Sequence, residues 1–489
     1  MTASPPSVPE CGSCVSRDRV IAAQATAVEE LTRANARLAE RVAQLERLVG
    51  RNSGNSSMPP SSDDLPGKAG PAPRPVKGSG RRRGKQQGAP GSSLPWVASP
   101  DEYVAHRPQG DCGCGADLAG AAEVGIERSH QEHDLPEVRV RVCQHDVYRV
   151  RCACGREHVA SQPAGVSPAP SSYGPLVVYL LVYQHVPIER CVALISDLTG
   201  GTGPSTGFAH GMLARCATAV RPVVTLIKKL VSAAPVVGFD ETTLRAGPAG
   251  HKRYVLSAST ENHTVYHLGR RDLASFTAFG ILPGFAGIAV HDRYQNYYHP
   301  TWKHLAGHQA CCAHLSRDFT DAAECHPGVH WPAQAQRALR GLIHAWHHAR
   351  DTSHIQIPPP VGDPLKNEFR HAIRVGLAQV RRIPGPKHST KQLPGRDLLE
   401  FCRDHETDVL GFCTDTRIWP TNNISERDLR PTKTQQKISG RLTSEDITQD
   451  RLDIRSYIDT VRKHGGNTMD ALRAALTGNP WHPPIPTPI

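Results

Sequence analysis

Two short apolar runs that each end in an aspartate constrain this chain more than any other feature. Val236-Val-Gly-Phe-Asp240 and Gly287-Ile-Ala-Val-His-Asp292 read as strands. Arg253 to Ser259 and Thr264 to Leu268 read as two more, joined through Glu261-Asn262, with a helix near 272 to 280. Three strands in meander, a helix and a fourth strand open an RNase H-like α/β fold. In such a sheet the first and fourth strands can be neighbours, with Asp240 and Asp292 at one edge. A third acid on a later helix completes the cluster. Hard oxygen donors with open positions suit Mg²⁺ or Mn²⁺. Two such ions can activate water or a 3′-hydroxyl and stabilise the leaving oxygen of a phosphodiester. One aspartate at a strand end is more often a turn or cap residue; the order Asp, Asp, Glu on strand, strand, helix argues against chance.

The rest of the 489 residues exceed one compact domain, at about 150 residues each. Hydrophobic residues make up 38%, below the roughly 45–50% of globular chains, so part of the chain belongs to no core. Residues 1–19 are expected to be disordered. Residues 20–50 carry a heptad repeat, with Ile21, Val28, Asn35, Val42 and Val49 at a, and Gln24, Leu31, Leu38 and Leu45 at d. β-branched a with Leu d favours a parallel dimer, and a single Asn at a fixes its register. Residues 51–110 are a Ser/Pro-rich and basic linker with too little apolar surface to fold. Between 66 and 90 lie seven basic side chains and no acid, seven of the net +11. Among them, Arg81, Arg82 and Arg83 suit DNA phosphates, and a solubilising linker fits the same residues equally well.

Residues 111–160 hold Cys112-Gly-Cys114-Gly and Cys152-Ala-Cys154-Gly around strand-like stretches. Four cysteines in two close pairs describe a zinc ribbon-like module with one structural Zn²⁺. Cys143, His145 and His158 are alternative ligands, and Cys11-x-x-Cys14 has no partner pair nearby. Residues 161–232 read as helical. Ile188 to Leu198, Gly200-Gly-Thr-Gly203 and Pro204 to Ala217 have the layout of a helix-turn-helix, and a plain helical hairpin fits them nearly as well. The Pro-rich end, 465–489, is expected to be a loose tail. No run approaches the 18 or so apolar residues of a membrane span, and the N-terminus lacks the apolar segment of a secretory leader. A reducing cytoplasm, in association with the nucleoid, is the expected location.

Asp240-Glu-Thr-Thr, Asp292-Arg-Tyr-Gln-Asn-Tyr, Ala313-His-Leu-Ser-Arg317 and Asn422-Asn-Ile-Ser-Glu-Arg-Asp-Leu-Arg-Pro431 resemble the insertion-sequence sixty-six family of bacterial transposases. So does Asn52-Ser-Gly-Asn-Ser-Ser57 with Pro59-Pro-Ser-Ser-Asp63 after the zipper. The resemblance implies a DDE transposase in which Asp240, Asp292 and Glu426 bind two catalytic Mg²⁺ or Mn²⁺ ions. It implies a catalytic domain at 233–464 with a helical insertion at about 320–415. Such an enzyme binds terminal inverted repeats in double-stranded DNA, frees 3′ ends by hydrolysis and joins them to target DNA. A catalytically silent regulator and a related RNase H-like nuclease are the alternatives. His314 and Arg317 share one helix face, and Arg427, Arg430, Lys433 and Lys437 form a basic strip after Glu426; a DNA backbone is their natural partner. A homodimer through 20–50 and accessory proteins of the same element are the other expected partners, and no membrane is expected.

Overall fold

A computed structural model describes residues 12–52, 94–134, 140, 143–161, 173–385, 392–393 and 395–485. Arg81, Arg82 and Arg83 lie outside the described residues. The first helix, α1, spans Gly12–Gly50. Its seam residues Ile21, Val28, Leu31, Leu38, Val42, Leu45 and Val49 are all exposed. After it, Arg51 reaches Asp321 at 2.8 Å, so the end of α1 is tied to the helical part of the chain. A small hairpin follows, β1 (Arg149–Arg151) and β2 (Glu157–Val159), paired antiparallel.

The main body begins with α2 (Tyr173–Val178), a π-type turn over Tyr179–Tyr183, α3 (Ile188–Leu198) and α4 (Thr206–Ser232). Ser205 caps α4 by accepting from Phe208 N–H, and the helix buries ten side chains along one face. That face packs into the core of the sheet that follows. Residues 173–232 and the sheet therefore share one core, with no seam at 232.

Five strands form that sheet: β3 (Val236–Leu244), β4 (Arg253–Ser259), β5 (Thr264–Gly269), β6 (Ile288–His291) and β7 (Gly307–Ala310). Their spatial order is β5-β4-β3-β6-β7. The first three are antiparallel, and β6 and β7 run parallel to β3. The helix α5 (Leu273–Phe279) makes the crossover before β6, capped by Asp272 and stopped by Gly280 in the left-handed region at φ 80°.

Strand alternation then sorts the core into two layers. Val237, Phe239 and Ala289 face α4, α12 (Glu445–Lys463) and α13 (Thr468–Leu476). Val236, Val290 and Ala310 face the helices α6 (Cys312–Cys325), α7 (Trp331–Asp351), α8 (Pro359–Gln379), α9 (Arg396–Asp404) and α10 (Glu406–Leu410). These five fill the chain between β7 and α11 (Asn423–Ile438), which returns to lie against β3 and β4. The expected loose tail carries α13: Asn467 caps it through Met469 and Asp470 N–H, and Ala471, Leu472 and Ala475 are buried in the first layer. Proline richness signals a loose end only from Pro480 onward, too late to forbid that helix. No described helix is long and apolar enough to cross a membrane.

Candidate functional site: a carboxylate cluster on the central sheet

β3 and β6 pair in parallel with Gly238 opposite Val290. Extended by two residues, that register sets Asp240 beside Asp292. Asp240 shares its strand face with Gly238, and that face receives the start of α11. The approach is close because position 238 has no side chain. A Cβ there would lie 2.5 Å from Ser425 Oγ and 2.7 Å from Asn422 Oδ1. Asn422 is fully buried; its Nδ2 donates to Phe239 O at 2.6 Å and its backbone N–H points at Cys311 Sγ at 3.2 Å. One residue therefore ties α11 both to the first strand and to the start of α6.

Glu426 lies in the first turn of α11, where the helix dipole favours an anion. Two residues on, roughly the opposite side of the helix, Asp428 anchors it. Its Oδ2 accepts from Ser259 Oγ at 2.7 Å, Thr264 Oγ1 at 2.6 Å and Lys463 Nζ at 2.7 Å. Tyr266 Oη adds a donor to Asp428 O at 2.9 Å. The two acids of Ser-Glu-Arg-Asp thus have opposite duties, one facing the cluster and the other locking the helix to β4, β5 and α12.

The cluster is electrostatically tense. Burial pushes the Asp240 carboxyl well above its ordinary range, and the charges of Glu241, Asp292 and Glu426 push it further. Burial raises Glu426 too, while Arg317, Arg430 and Lys433 pull it back. A fourth acid, Glu241, lies on the other strand face. Arg271 bridges it to Asp292, donating through Nε to Glu241 Oε1 and through Nη2 to Asp292 Oδ2 at 3.2 Å. Tyr297 Oη donates to Glu241 Oε2 at 2.7 Å, and the Arg271 guanidinium lies 3.9 Å over the Tyr294 ring.

His314 and Arg317 lie on α6 beside Glu426. His314 Nδ1 is 3.7 Å from Glu426 Oε1, and burial drops its imidazole to about 4, so it is neutral. His314 Nδ1, Arg317 Nε and Glu426 Oε1 are all buried without a hydrogen-bond partner. Arg430, Lys433 and Lys437 follow Glu426 at helical spacings of four, three and four, so they continue its face along α11; Arg427 is exposed one step round.

The motifs contain Glu241, Asn422 and Asp428 without revealing these contacts, and sequence reasoning passed over Arg271 and Cys311. For Cys311 a signal existed, the C-x-x-H spacing to His314 at a helix start.

Away from this cluster, the two C-x-C pairs adopt one geometry. Cys112 N–H donates to Ala116 O at 2.8 Å and Gly115 N–H to Cys112 O at 2.7 Å. Cys152 N–H donates to Arg156 O at 2.8 Å and Gly155 N–H to Cys152 O at 2.8 Å. Gly115 and Gly155 have φ of 86° and 83°, which a side chain resists. Backbone donors lower the thiols of Cys114 and Cys152. The four cysteines are exposed, and among the described residues no metal-capable group of three includes them.

Comparison with protein families places this architecture among the transposases, a class of DNA-processing enzymes. A family model described as Transposase IS66 family matches residues 169–449, more than half of the chain and all three acids. The chain belongs to the Transposase IS66 family. A second model, of a family of unknown function, matches residues 16–95. No curated protein matches the chain.

Proposed function

We propose that the chain is a DDE transposase with an RNase H-like catalytic domain, and that Asp240, Asp292 and Glu426 are its metal-binding acids. The observation that carries this reading is the convergence of carboxylates from β3, β6 and α11: the parallel register sets Asp240 beside Asp292, and Asp292 and Glu426 are both close enough to push the Asp240 carboxyl up. The strand order β5-β4-β3-β6-β7 supports the fold assignment. The donors are all oxygen, and Glu426 keeps one buried oxygen unpaired, which fits hard divalent cations such as Mg²⁺ or Mn²⁺. When bound, such ions supply an activated oxygen nucleophile and charge stabilisation at the phosphodiester. The chain's own part is to hold the acids together and to guide the DNA. Arg427, Arg430, Lys433 and Lys437 offer a row of cations leading away from the cluster, and Arg317 with neutral His314 flanks Glu426. Arg81, Arg82 and Arg83 supply sequence-independent phosphate contacts nearer the zipper.

A supercoiled plasmid carrying the element's ends tests this directly. Strand cleavage at those ends that requires Mg²⁺ or Mn²⁺ is expected. End binding without cleavage in either metal identifies a silent regulator, and cleavage indifferent to the ends identifies a nuclease.

The zipper reading belongs to the same proposal. Two element ends must meet, and the exposed a/d seam from Ile21 to Val49 on the 39-residue helix α1 is a surface for a second copy. Leu31→Glu with Leu38→Glu is expected to turn a 15–52 peptide into a monomer by sedimentation, and to stop pairing of ends while single-end binding survives. A monomeric wild-type peptide at high micromolar concentration sinks the idea.

The matched knuckles support one structural Zn²⁺ held by Cys112, Cys114, Cys152 and Cys154, since the two turns share one backbone hydrogen-bond pattern. Metal binding and folding are coupled in such modules, and nothing but the metal need draw the two turns together. Elemental analysis of segment 111–160 is expected to give one zinc per chain, lost when Cys112 and Cys152 become serine; less than half a zinc in metal-replete protein counts against it.

A further inference from the structure

We infer that Cys311, His314 and Glu426 form a second metal site, selective for Zn²⁺, that shares Glu426 with the acid cluster. One ligand atom from each residue lies within 4.8 Å of the other two, and among the described residues this is the one such group. The donors are a thiol sulfur, an imidazole nitrogen and a carboxylate oxygen. That mixture is foreign to Mg²⁺, which takes oxygen, and suits Zn²⁺. Three protein ligands with an open fourth position is a common zinc arrangement, with bonds of about 2.0–2.3 Å. Such bonds place tetrahedral donor atoms about 3.3–3.8 Å apart, and His314 Nδ1 and Glu426 Oε1 lie 3.7 Å apart.

Two further observations point to a ligand. His314 Nδ1 and Glu426 Oε1 are buried and unpaired while facing each other at 3.7 Å, too far for a hydrogen bond. A cation between them satisfies both. In addition, the residues are built to face one another. Cys311 is the N-cap of α6 and His314 lies in its first turn; Glu426 lies in the first turn of α11. The Asn422 N–H to Cys311 Sγ contact couples the two helix starts. Both helix starts aim their dipoles here, which favours an anionic donor set. Burial pushes the free Cys311 thiol up to about 11, so a bound metal ion takes the place of its proton.

The consequence follows from the sharing. Zinc held by Cys311 and His314 engages Glu426 and withdraws it from Asp240 and Asp292, so zinc inhibits cleavage supported by Mg²⁺. This consequence rests on Glu426 being a catalytic-metal ligand; the binding of zinc does not.

Co²⁺ serves as a spectroscopic stand-in for Zn²⁺. The test uses the full chain with Cys11, Cys14, Cys112, Cys114, Cys152 and Cys154 changed to serine, which removes the other close cysteine pairs. Expected are one tightly bound Co²⁺ with a thiolate-to-cobalt charge-transfer band, displaced by Zn²⁺, and loss of that band on Cys311→Ala. In cleavage assays the zinc concentration that halves the rate should rise about 100-fold or more with Cys311→Ala, since losing a ligand costs at least what losing its supporting partner does. No band, or the same band in Cys311→Ala, overturns the site. Should Cys311→Ala fail to fold, zinc-edge X-ray absorption on the chain that keeps Cys311 decides: one sulfur neighbour supports the site, and none overturns it. A chain that binds Co²⁺ as described but cleaves DNA in no metal keeps this site and loses the transposase mechanism, so the two failures are distinguishable.

Discussion

Asp240→Asn, Asp292→Asn and Glu426→Gln are each expected to lower strand cleavage about 1,000-fold or more, because each removes several kcal/mol of charge stabilisation at about tenfold per 1.36 kcal/mol. End binding survives, since the cations on α11 are untouched. The amide keeps the shape of the acid and loses the charge that attracts the metal. A second readout separates this from simple damage. Asp240 and Glu426 have folded-state carboxyls raised above their ordinary values, chiefly by burial. A raised acid contributes stability that is fully present below the unfolded value and is lost as pH rises through the folded one. The metal-free wild type should therefore melt at falling temperature as pH climbs from the ordinary carboxylate range through the folded-state values. Asp240→Asn removes the most strongly shifted group, so the metal-free variant should flatten that slope and melt above the wild type at neutral pH. Mg²⁺ or Mn²⁺ should stabilise the wild type and not the variant, by more at higher pH, because binding displaces protons. A variant less stable than the metal-free wild type at neutral pH, or one that still cleaves, removes Asp240 from the cluster.

The readability of this site in sequence was uneven for a physical reason. Strand alternation and a strand's terminal carboxylate are local patterns, so Asp240 and Asp292 can be read without knowing their partners. Glu426 came instead through a long motif, and its neighbours there say nothing about which acid faces Asp240 and Asp292. Only the partners of Asp428 on β4, β5 and α12 separate the two duties, and those lie 35 to 169 residues away along the chain. Arg271 and Glu241 are likewise 30 residues apart and meet because the antiparallel run β3-β4-β5 brings the chain back to the same end of the sheet. The helices of the insertion were legible as amphipathic runs, whereas their common core was not, since packing partners are set by three-dimensional proximity. The boundary expected at 232 reflected a change from helix to strand texture; burial ignores that change, and α4 belongs to the sheet's own core.

Gly238→Ala is the most economical test of how the acids are brought together, because it leaves every charged group in place. The new methyl would meet Ser425 Oγ at 2.5 Å and Asn422 Oδ1 at 2.7 Å. Neither atom withdraws freely. Ser425 is fully buried, and the Asn422 side chain is held by its bond to Phe239 O. The strain must therefore move the first turn of α11 away from β3, and Glu426 moves with it. Overpacking of this kind costs about 1–3 kcal/mol, and displacing a catalytic group by about 1 Å costs on the order of 100-fold in rate. The variant should fold with a lowered melting temperature, bind element ends, and cleave about 100-fold more slowly. Ser425→Ala removes the nearer of the two obstructing atoms, so adding it to Gly238→Ala should restore part of both stability and cleavage, a recovery that general misfolding would not give. Cleavage by Gly238→Ala at the wild-type rate, with an unchanged melting temperature, would mean that the close packing of α11 on β3 does not set the position of Glu426.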